Sequence, residues 1–503
     1  MWKRFALAAL LIAALSGTAT ATVALNKVNQ LAAEVFPTLS HIKAPKGLIT
    51  SEYEGGPQTF LVLGTDRRSH SDDALDRENP PHSDTILLVR FDPGQGQTTL
   101  MSIPRDLLVT IRTKQGQEYS NQKINAAYTI GSQLGGSSEG SLLAAETIKR
   151  EVFPSLKLNG IVDVNFAGFI RLVDTLGCAY VMVDHRYYNQ NVGSPESDYT
   201  SINLEPGYQK LCYENALDYV RYRHTDSDFV RVARQQDFLR DLREQVDPSD
   251  ILGQLDTVAK AVGHAITTTF PASAGELIEL AKLIAFSQDK PLRQVKFQAA
   301  NENALVNGGS YVTSTSHLEQ ETLEEFMGQS HEEGSPSPAP APSSHTSSRH
   351  HSSYHSHTIT PQSAGMVHTD GEGEVVKAAL GVPFKVLYPA YQTAPSSQVQ
   401  TRPYDLRDEH GGLHQAYVTV WQQNGIDGYY DFEGTNWLNP PLFAHAHERV
   451  LHGRKYLLVY DGSHIHVLGW REGNVLYWVT NTLLEDLSND QMWVVAKTAQ
   501  PLH

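Results

Sequence analysis

One segment about two thirds of the way along the chain, residues 329–362, divides the sequence into two folding units. It reads QSHEEGSPSPAPAPSSHTSSRHHSSYHSHTITPQ and consists mainly of Ser, Pro, His and other small or polar residues. Such a composition buries too little apolar surface to offset the entropy that is lost on ordering. We therefore predict a disordered, partly extended linker, whose histidines either bind a transition metal or stay solvated without a dedicated site.

The composition of the whole chain fits a globular protein and argues against broad nucleic-acid binding. Its 503 residues and 40% hydrophobic content suffice for two or three domains with normal cores. The formal net charge is −16 at pH 7, whereas nucleic-acid binding needs a basic face that displaces counterions from phosphates. We therefore expect no nucleic acid among the partners, and any cluster of arginines must act locally.

The first residues, MWKRFALAALLIAALSGTATATVAL, predict a membrane segment. Lys3 and Arg4 precede an uncharged, largely apolar stretch from Phe5 to Leu25, which has about the length of a bilayer span. A cleaved signal peptide is the alternative, because the small residues of GTATATVA suit a signal peptidase. Both interpretations place the bulk of the chain outside the cytoplasm. An uncleaved membrane segment would make the chain a single-pass protein of the cell membrane, with residues 1–56 as anchor and juxtamembrane segment.

The chain has two cysteines, Cys178 and Cys212. An oxidising exterior permits a disulfide between them, and the alternative is two buried free thiols. Closing the intervening loop would stabilise the fold by roughly 3 to 4 kcal/mol in the chain-entropy treatment.

Residues 57–328 alternate between strand and helix signals, which predicts an α/β domain. Strands are expected in four apolar runs, TFLVLG (59–64), DTILLVRFDP (84–93), TTLMSIP (98–104) and AYVMVD (179–184). Helices are expected at about Ser141 to Val152, Phe166 to Leu176, Asp228 to Val246 and Ala274 to Ser287.

Residues 363–503 predict a smaller, β-rich accessory domain. The segment RKYLLVYDGSHIHVLGWREGNVLYWVTN reads as three strands joined at DGS and EGN. Its inward-facing candidates are Leu458, Val467, Val475 and Tyr477. This part of the chain also contains Trp421, Trp437, Trp470, Trp478 and Trp493. The indoles either pack in a core or form a face on which glycans stack.

The stretch LDYVRYRHTDSDFVRVARQQ, residues 217–236, concentrates four arginines in this acidic chain. If YVRYR is extended, Arg221 and Arg223 point to the same side of the strand and form a fork. The helical part that follows places Asp228, Arg231 and Gln235 along one face.

Like charges this close repel, so an anionic partner must offset them. One answer is surface ion pairing with nearby aspartates, which contributes little per pair. The aspartates in question are Asp226, Asp228, Asp237 and Asp241. The other answer is a bound phosphate, because the planar donors of guanidinium match phosphate oxygens in pairs.

Charged residues also stand at the ends of the predicted strands. Asp66 follows one strand, Asp84 begins the next, and Arg105 and Asp106 end the third. Ligand sites concentrate at one rim of an α/β sheet, and two carboxylates there suit a hard cation such as Mg²⁺ that bridges to substrate phosphates. Turn and cap roles are the alternative for these aspartates.

Together these segments resemble the LytR-CpsA-Psr family of extracytoplasmic phosphotransferases over about residues 57–328. The matching motifs, in family order, are LVLGTDRR, SDTILLV, LMSIPRDLLV, KINAAYTIG, VNFAGFIRLVDTLG and ALDYVRYRHTDSDFVRVARQQ. The resemblance implies an α-β-α sandwich with an apolar cavity for a polyprenyl chain. It also implies transfer of a glycopolymer from a polyprenyl-pyrophosphate carrier to a muramic acid hydroxyl of peptidoglycan, with release of polyprenyl phosphate.

The resemblance assigns roles to individual positions. Asp66 and Asp84 match carboxylates that bind Mg²⁺, and Arg68 and Arg105 match arginines that contact the pyrophosphate. The remaining polar wall corresponds to Arg221, Arg223, Arg231 and Gln235, with Asp228 orienting the arginines and with Lys123 and Asn125 positioning the substrate. Within this set, catalytic roles are expected for Asp84, Arg105, Arg223 and Asp228.

One position departs from the family pattern. The family usually has arginine two residues before the second carboxylate, where this chain has His82. An imidazole there would weaken the phosphate clamp or make its strength depend on pH. The cysteines and the segment YWVTNTLLEDLSN resemble those of a family subset that carries a tryptophan-bearing tail.

Two further functions remain open at this point. Water in place of the sugar acceptor would make the protein a polyprenyl-pyrophosphate phosphatase. A non-catalytic wall-binding protein would use the second domain as a tether and the pocket only to hold lipid. Membership of the family has also been linked to transcription, but this acidic chain shows no helix-turn-helix pattern.

Overall fold

The structure is a computed structural model, and it describes most of the chain outside the linker and the N-terminal segment. The described residues are 40–50, 56–66, 81–190, 201–222, 226–245, 266–270, 292–328, 360–369, 379, 381–423 and 428–502. The expected membrane segment, most of the expected linker and the helix expected at 274–287 lie outside these ranges. No helix of the described part is both long and apolar enough to cross a bilayer.

The part of the chain before the linker contains fifteen strands in the described ranges. In chain order they are β1 (Ser40–His41), β2 (Gln58–Thr65), β3 (Ser83–Asp92), β4 (Gln97–Ser102), β5 (Leu108–Arg112), β6 (Glu118–Lys123), β7 (Gly160–Asn165), β8 (Ala179–Val183), β9 (Tyr187–Asn189), β10 (Ile202–Leu204), β11 (Gly207–Leu211), β12 (Ile266–Thr268), β13 (Leu292–Val295), β14 (Asn301–Val306) and β15 (Gly309–Thr313). Four of them, β2, β3, β4 and β8, match the four predicted runs.

Five α-helices accompany these strands in the described ranges. They are α1 (Ala126–Thr147), α2 (Phe166–Thr175), α3 (Tyr213–Arg221), α4 (Asp228–Glu244) and α5 (Ser316–Phe326). A short π-helix, Ile148–Val152, continues α1. The predicted helices at 166–176 and 228–246 are confirmed by α2 and α4.

Helix α1 begins fifteen residues earlier than the sequence indicates, at Ala126 instead of Ser141. The intervening GSQLGGSSEG resembles a loop because it is rich in Gly and Ser. The helix does kink there, since Gly135 and Gly136 have non-helical dihedral angles. Two turns pack closely across this kink, because a Cβ on Gly131 would lie 2.6 Å from the carbonyl oxygen of Glu139.

A mixed sheet forms the centre of the first domain. Its strand order is β1-β12-β7-β2-β3-β4-β13. The pairs β1/β12, β7/β2 and β4/β13 are parallel, and the remaining pairs are antiparallel. Helices cover both faces, so the expected α-β-α sandwich is confirmed.

Alternation along the central strands produces two hydrophobic cores, one on each face of the sheet. On β2, Phe60 and Val62 enter the core beneath α2, α3 and α4, whereas Leu61 and Leu63 enter the core beneath α1 and α5. Successive side chains of a strand point to opposite faces. Both faces are apolar because helices cover both.

The part of the chain after the linker is β-rich, as expected. Its strands are β16 (Met366–His368), β17 (Leu387–Pro389), β18 (Tyr391–Thr393), β19 (Ser396–Arg407), β20 (Leu413–Gln423), β21 (Gly428–Thr435), β22 (His447–Leu451), β23 (Arg454–Asp461), β24 (His464–Glu472), β25 (Val475–Thr480) and β26 (Ala499–Pro501). Helix α6 (Asn489–Thr498) and a 3₁₀ turn at Pro441–Phe443 complete the described part.

Seven of these strands form one antiparallel sheet, in the order β19-β20-β21-β25-β24-β23-β22. The three strands predicted from DGS and EGN are β23, β24 and β25, and the four residues expected to point inward are buried. The five tryptophans of this domain are at most 5% exposed, which confirms core packing over a glycan-stacking face. Helix α6 covers one face of the sheet.

The other face of this sheet packs against the first domain. A shared core joins Tyr180, Met182 and Tyr208 of the β8/β11 ribbon to Trp478 and neighbouring apolar residues of the second domain. The Tyr180 hydroxyl donates to the carbonyl of Arg407 at 2.6 Å. The two domains are therefore packed together through an apolar contact that also contains a hydrogen bond between them.

Candidate functional site

A cavity of about 290 Å³ lies between the central sheet and helices α2, α3 and α4. Its inner wall is apolar, and charged side chains line the remainder. The lining residues are Val62, Asp66, Asp84, Thr85, Leu87, Arg105, Val162, Val164, Phe166, Phe169, Leu172, Val173, Leu217, Val220, Arg221, Arg231, Gln235, Phe238 and Leu239. The cavity therefore combines a lipophilic interior with a polar end, which matches the apolar cavity that the resemblance implies.

The sheet topology brings the charged residues together at one end of the central strands. Strand β2 ends one residue before Asp66, and its antiparallel neighbour β3 begins beside it, with Thr65 paired to Ser83. Strand β4 stops near the same end because Ser102 pairs with Leu87. The loop after β4 then carries Arg105 to the cavity wall.

Asp84 is held as an anion. The Arg105 guanidinium donates through Nη1 to Asp84 Oδ1 at 2.6 Å. Burial by itself would raise the pKa of the Asp84 carboxyl, but the positive charges of Arg105, Arg231 and Arg221 together with the Arg105 hydrogen bond hold that pKa below its usual value. This carboxylate is therefore charged wherever those arginines surround it.

The pKa of the Asp66 carboxyl is raised, in contrast to that of Asp84. Burial raises the pKa of its carboxyl, and the neighbouring charge of Asp84 raises it further. The backbone N–H of His82, which donates to Asp66 Oδ1 at 2.6 Å, works in the other direction. Two carboxylates close enough to repel each other are stabilised when a cation lies between them.

These two carboxylates fit a magnesium ion. The described residues contain no group of three or more His, Cys, Asp or Glu side chains able to hold a metal. Mg²⁺ ordinarily takes one or two protein carboxylates and completes its shell with water and substrate phosphates. Asp66 and Asp84 would hold it, and it would neutralise charge on a bound phosphate.

Arg221 reaches the cavity from the end of α3, not from a strand. Its guanidinium lies 4.0 Å from the ring centroid of Phe166. The predicted extended fork is therefore wrong for this residue, while Arg223 lies outside the described residues. The aromatic and β-branched residues of YVRY favour a strand, but Ala216, Leu217 and Val220 form one apolar helical face that packs on the core.

Helix α4 supplies Arg231 and Gln235, as predicted. Arg231 donates through Nη2 to the backbone carbonyl of Asp84 at 3.3 Å. The Gln235 amide accepts from the Thr85 hydroxyl at 3.2 Å and donates to the Val220 carbonyl at 2.9 Å. Gln235 thereby connects β3, α3 and α4, so its arrangement indicates a positioning residue in the wall.

Arg234, one of the four arginines of the stretch, faces away from the cavity. It is fully buried and forms an ion pair with Asp226 and a hydrogen bond with the Tyr222 carbonyl. Its guanidinium also lies 4.7 Å from the ring centroid of Tyr187. Ion pairing with an aspartate therefore accounts for Arg234, while Arg231, three residues earlier, lines the cavity.

Lys123 and Asn125 lie behind the cavity wall instead of in it. Lys123 pairs with Asp106, Nζ to Oδ1 at 2.9 Å. The backbone N–H of Asn125 donates to the Arg105 carbonyl at 3.2 Å. Both residues therefore brace the loop that carries Arg105.

Arg68 and Arg223 lie outside the described residues, and so does the side chain of Asp228, whose backbone begins α4. Sequence reasoning missed the aromatic lining from Phe166 and Phe169. The amphipathic pattern of α2 was the available signal, because a helix with one apolar face needs something apolar to cover it.

The Cys178–Cys212 disulfide that the sequence predicts is present. Cys178 follows the end of α2, and Cys212 immediately precedes α3. Both helices contribute to the cavity wall. The bridge therefore ties together two helices that enclose the cavity.

The fold and the site define an α/β protein with an α-β-α sandwich, in which arginines and two carboxylates line one part of an otherwise apolar cavity. Residues 22–327 match the LytR_cpsA_psr family. The chain belongs to this family.

Individual relatives are distant. The chain is 26% identical over 265 residues to Biofilm regulatory protein A of Streptococcus mutans, covering 52% of this chain and 60% of that protein. It is 24% identical over 274 residues to Regulatory protein MsrR of Staphylococcus aureus, covering 54% of this chain and 75% of that protein. The crystal structure of B. subtilis TagV is similar with a TM-score of 0.41 and 22% identity, covering 55% of this chain and 100% of that one.

Proposed function

We propose that this protein transfers a glycopolymer from a polyprenyl-pyrophosphate carrier to peptidoglycan. The observation that carries the proposal is the cavity itself, in which Arg105, Arg221 and Arg231 stand beside an apolar interior. Guanidinium groups bind phosphate oxygens in pairs, and the apolar wall suits an isoprenoid chain. Family membership supports the same assignment.

The residues of the cavity have different proposed roles according to their position. Phe166, Phe169 and Leu239 would bind the isoprenoid tail and exclude water from it. Arg105, Arg221 and Arg231 would orient the pyrophosphate and counter the charge that develops on the leaving phosphate. Asp66 and Asp84 would hold Mg²⁺, which neutralises phosphate charge when it is bound.

The proposed reaction is a phosphoryl-group displacement. The acceptor hydroxyl attacks the phosphorus next to the sugar, and a new P–O bond forms while the bond to the bridging oxygen breaks. Polyprenyl phosphate leaves with that electron pair, and the proton of the acceptor passes to the Asp66 carboxylate when it is free of the cation. Fixed guanidinium groups need no reorganisation during this step, which is the physical source of the rate enhancement.

We place the reaction at the outer face of the cell membrane, with the N-terminal segment as anchor. The test uses purified full-length protein in detergent, a synthetic polyprenyl-pyrophosphate-linked glycan, Mg²⁺ and soluble peptidoglycan oligosaccharides. Transfer yields polyprenyl phosphate and glycan attached to peptidoglycan in equal amounts. Free phosphorylated glycan would identify a phosphatase instead, and binding without turnover would identify a lipid-binding protein.

A further inference from the structure

A second, polar cavity of about 280 Å³ adjoins the first one through Arg105, which lines both. It is bounded by the loop after β4, by the start of α4 and by the β14/β15 hairpin. Its lining residues are Arg105, Asp106, Asp226, Ser227, Phe229, Glu302, Asn303, Ser310, Tyr311 and Val312. We call this cavity the polar groove.

The hairpin that forms one side of the polar groove is fixed to the segment that carries Arg105. The backbone N–H of Val312 donates to the carbonyl of Asp106 at 2.9 Å, and Val312 pairs in parallel with Leu107. The Tyr311 hydroxyl donates to the Asn121 carbonyl at 3.2 Å. These contacts therefore fix the position of the groove relative to the charged end of the first cavity.

The charge of the polar groove does not suit a second phosphate. It contains three carboxylates and one guanidinium. Asp106 is already paired with Lys123, and Asp226 is already paired with Arg234. These pairs leave a lining of hydroxyl, amide and carboxylate groups beside Tyr311 and Phe229. Such a mixture of hydrogen-bonding groups and aromatic surface matches a sugar, which presents hydroxyls at its edge and C–H groups on its face.

We propose that the polar groove is the acceptor subsite and takes an uncharged stretch of saccharide that bears hydroxyl and amide groups. This inference rests on the proposed function, because it assigns to the acceptor the space that the lipid-linked donor leaves free. Arg105 separates the two occupants, and the reacting phosphorus would lie beside it. A hydroxyl entering from the groove would therefore approach from the side opposite the apolar cavity.

The test fills the groove without touching the residues of the first cavity. Ser310 is exposed and lines the groove, so Ser310→Trp would occupy the space expected for the sugar. Ser316, at the exposed start of α5, lines neither cavity and gives the matched control Ser316→Trp. The probes are a synthetic polyprenyl-pyrophosphate-linked glycan as donor and a soluble peptidoglycan oligosaccharide as acceptor.

We expect Ser310→Trp to raise the acceptor KM at least about tenfold, while the donor Kd and the control stay within about twofold of wild type. A second variant, Asn303→Ala, removes hydrogen-bonding groups without adding bulk and should raise the acceptor KM by about two- to tenfold. Unchanged acceptor KM in both variants, with normal transfer by the wild type, would overturn the subsite alone. Absence of transfer by the wild type would overturn the proposed function and the subsite with it.

Discussion

The Arg105 guanidinium lies 2.6 Å from the carboxylate of Asp84, Nη1 to Oδ1. Arg105 lines both cavities, and Asp84 lies near the start of β3. Replacing Arg105 by alanine removes a preorganised donor from the site where charge develops. We expect kcat for glycan transfer to fall about a hundredfold, corresponding to about 3 kcal/mol. The matched control is Arg112→Ala, because Arg112 pairs with Glu118 and Glu151 on the surface. Equal turnover in the two variants would contradict the assignment.

Arg231 and Arg234 lie three residues apart on α4, and the same substitution should mainly lower turnover at Arg231 and mainly lower stability at Arg234. Arg234→Met removes the ion pair between Arg234 and the buried Asp226 carboxylate, so we expect a loss of about 3–5 kcal/mol in the free energy of unfolding. Arg231→Met removes a charge from the cavity and should cost turnover, with a stability loss nearer to about 1 kcal/mol. Urea unfolding and single-turnover transfer measure the two effects separately. A reversed order of the two stability losses would show that the roles are wrongly divided.

Glu433 lies buried at the contact between the domains, and its carboxyl should make the stability of the protein depend on pH. Burial raises the pKa of its carboxyl to about 8, although hydrogen bonds from Tyr404 and from the backbone N–H of Tyr208 oppose the shift. The ordinary value for Glu is 4.5. A carboxyl whose pKa is raised in the folded state stabilises it most below the unfolded value, and this contribution is lost as the pH rises towards 8.

Glu433→Gln should remove this dependence because the amide does not titrate. We expect the wild type to lose up to about 1.4 kcal/mol per pH unit through this group between pH 5 and 8. The variant should therefore gain stability relative to wild type as the pH rises over that range. Thermal unfolding at several pH values measures the effect, and Glu448→Gln, in an exposed pair with Lys455, is the control. Parallel curves for wild type and Glu433→Gln would refute the prediction.

The Cys178–Cys212 bridge closes a loop with a sequence separation of 34 residues. The double replacement Cys178→Ser and Cys212→Ser should lower the free energy of unfolding by about 4 kcal/mol in the chain-entropy treatment. Because the bridge ties α2 to α3, we also expect weaker binding of the lipid donor. Reductant should reproduce both effects in the wild type and change neither in the double variant. A reduced protein with unchanged stability and donor Kd would argue against this role.

Leu239 projects into the apolar part of the first cavity from α4. Leu239→Trp should shorten the space available to an isoprenoid tail while leaving the charged end intact. We expect the Kd for a long-chain polyprenyl-pyrophosphate donor to rise at least about tenfold, or about 1.4 kcal/mol. A donor with a short isoprenoid tail should bind the variant and the wild type equally. Similar losses for both donors would indicate that the tail does not occupy this cavity.

Strand positions and the main polar residues of the site were predictable from the sequence because both depend on local patterns. Apolar runs predict β2, β3 and β4, and the ends of those strands predict where Asp66, Asp84 and Arg105 meet. Placement of Arg231 and Gln235 on one helix face follows from helical periodicity alone. The domain boundaries, Mg²⁺ and the membrane anchor stay predictions.

Residues whose environment depends on distant parts of the chain were not predictable in this way. Arg231 and Arg234 look equivalent in the sequence, and only the packing of α4 assigns one to the cavity and the other to Asp226. Arg221 belongs to a segment with strand-forming residues, but the core beneath α3 selects a helix. Local preference decides an element only when tertiary packing does not oppose it.

The shared core between the domains also affects how the chain behaves in the cell. Along β8, Val181 faces the interior of the first domain, whereas Tyr180 and Met182 face the second domain. A truncated product ending before the second domain would expose these rings and thioether to water, together with Tyr208. Exposed apolar surface of this kind promotes aggregation and degradation. Premature termination before the second domain should therefore yield an aggregation-prone fragment, whereas a chain cut only in the linker keeps the shared core covered.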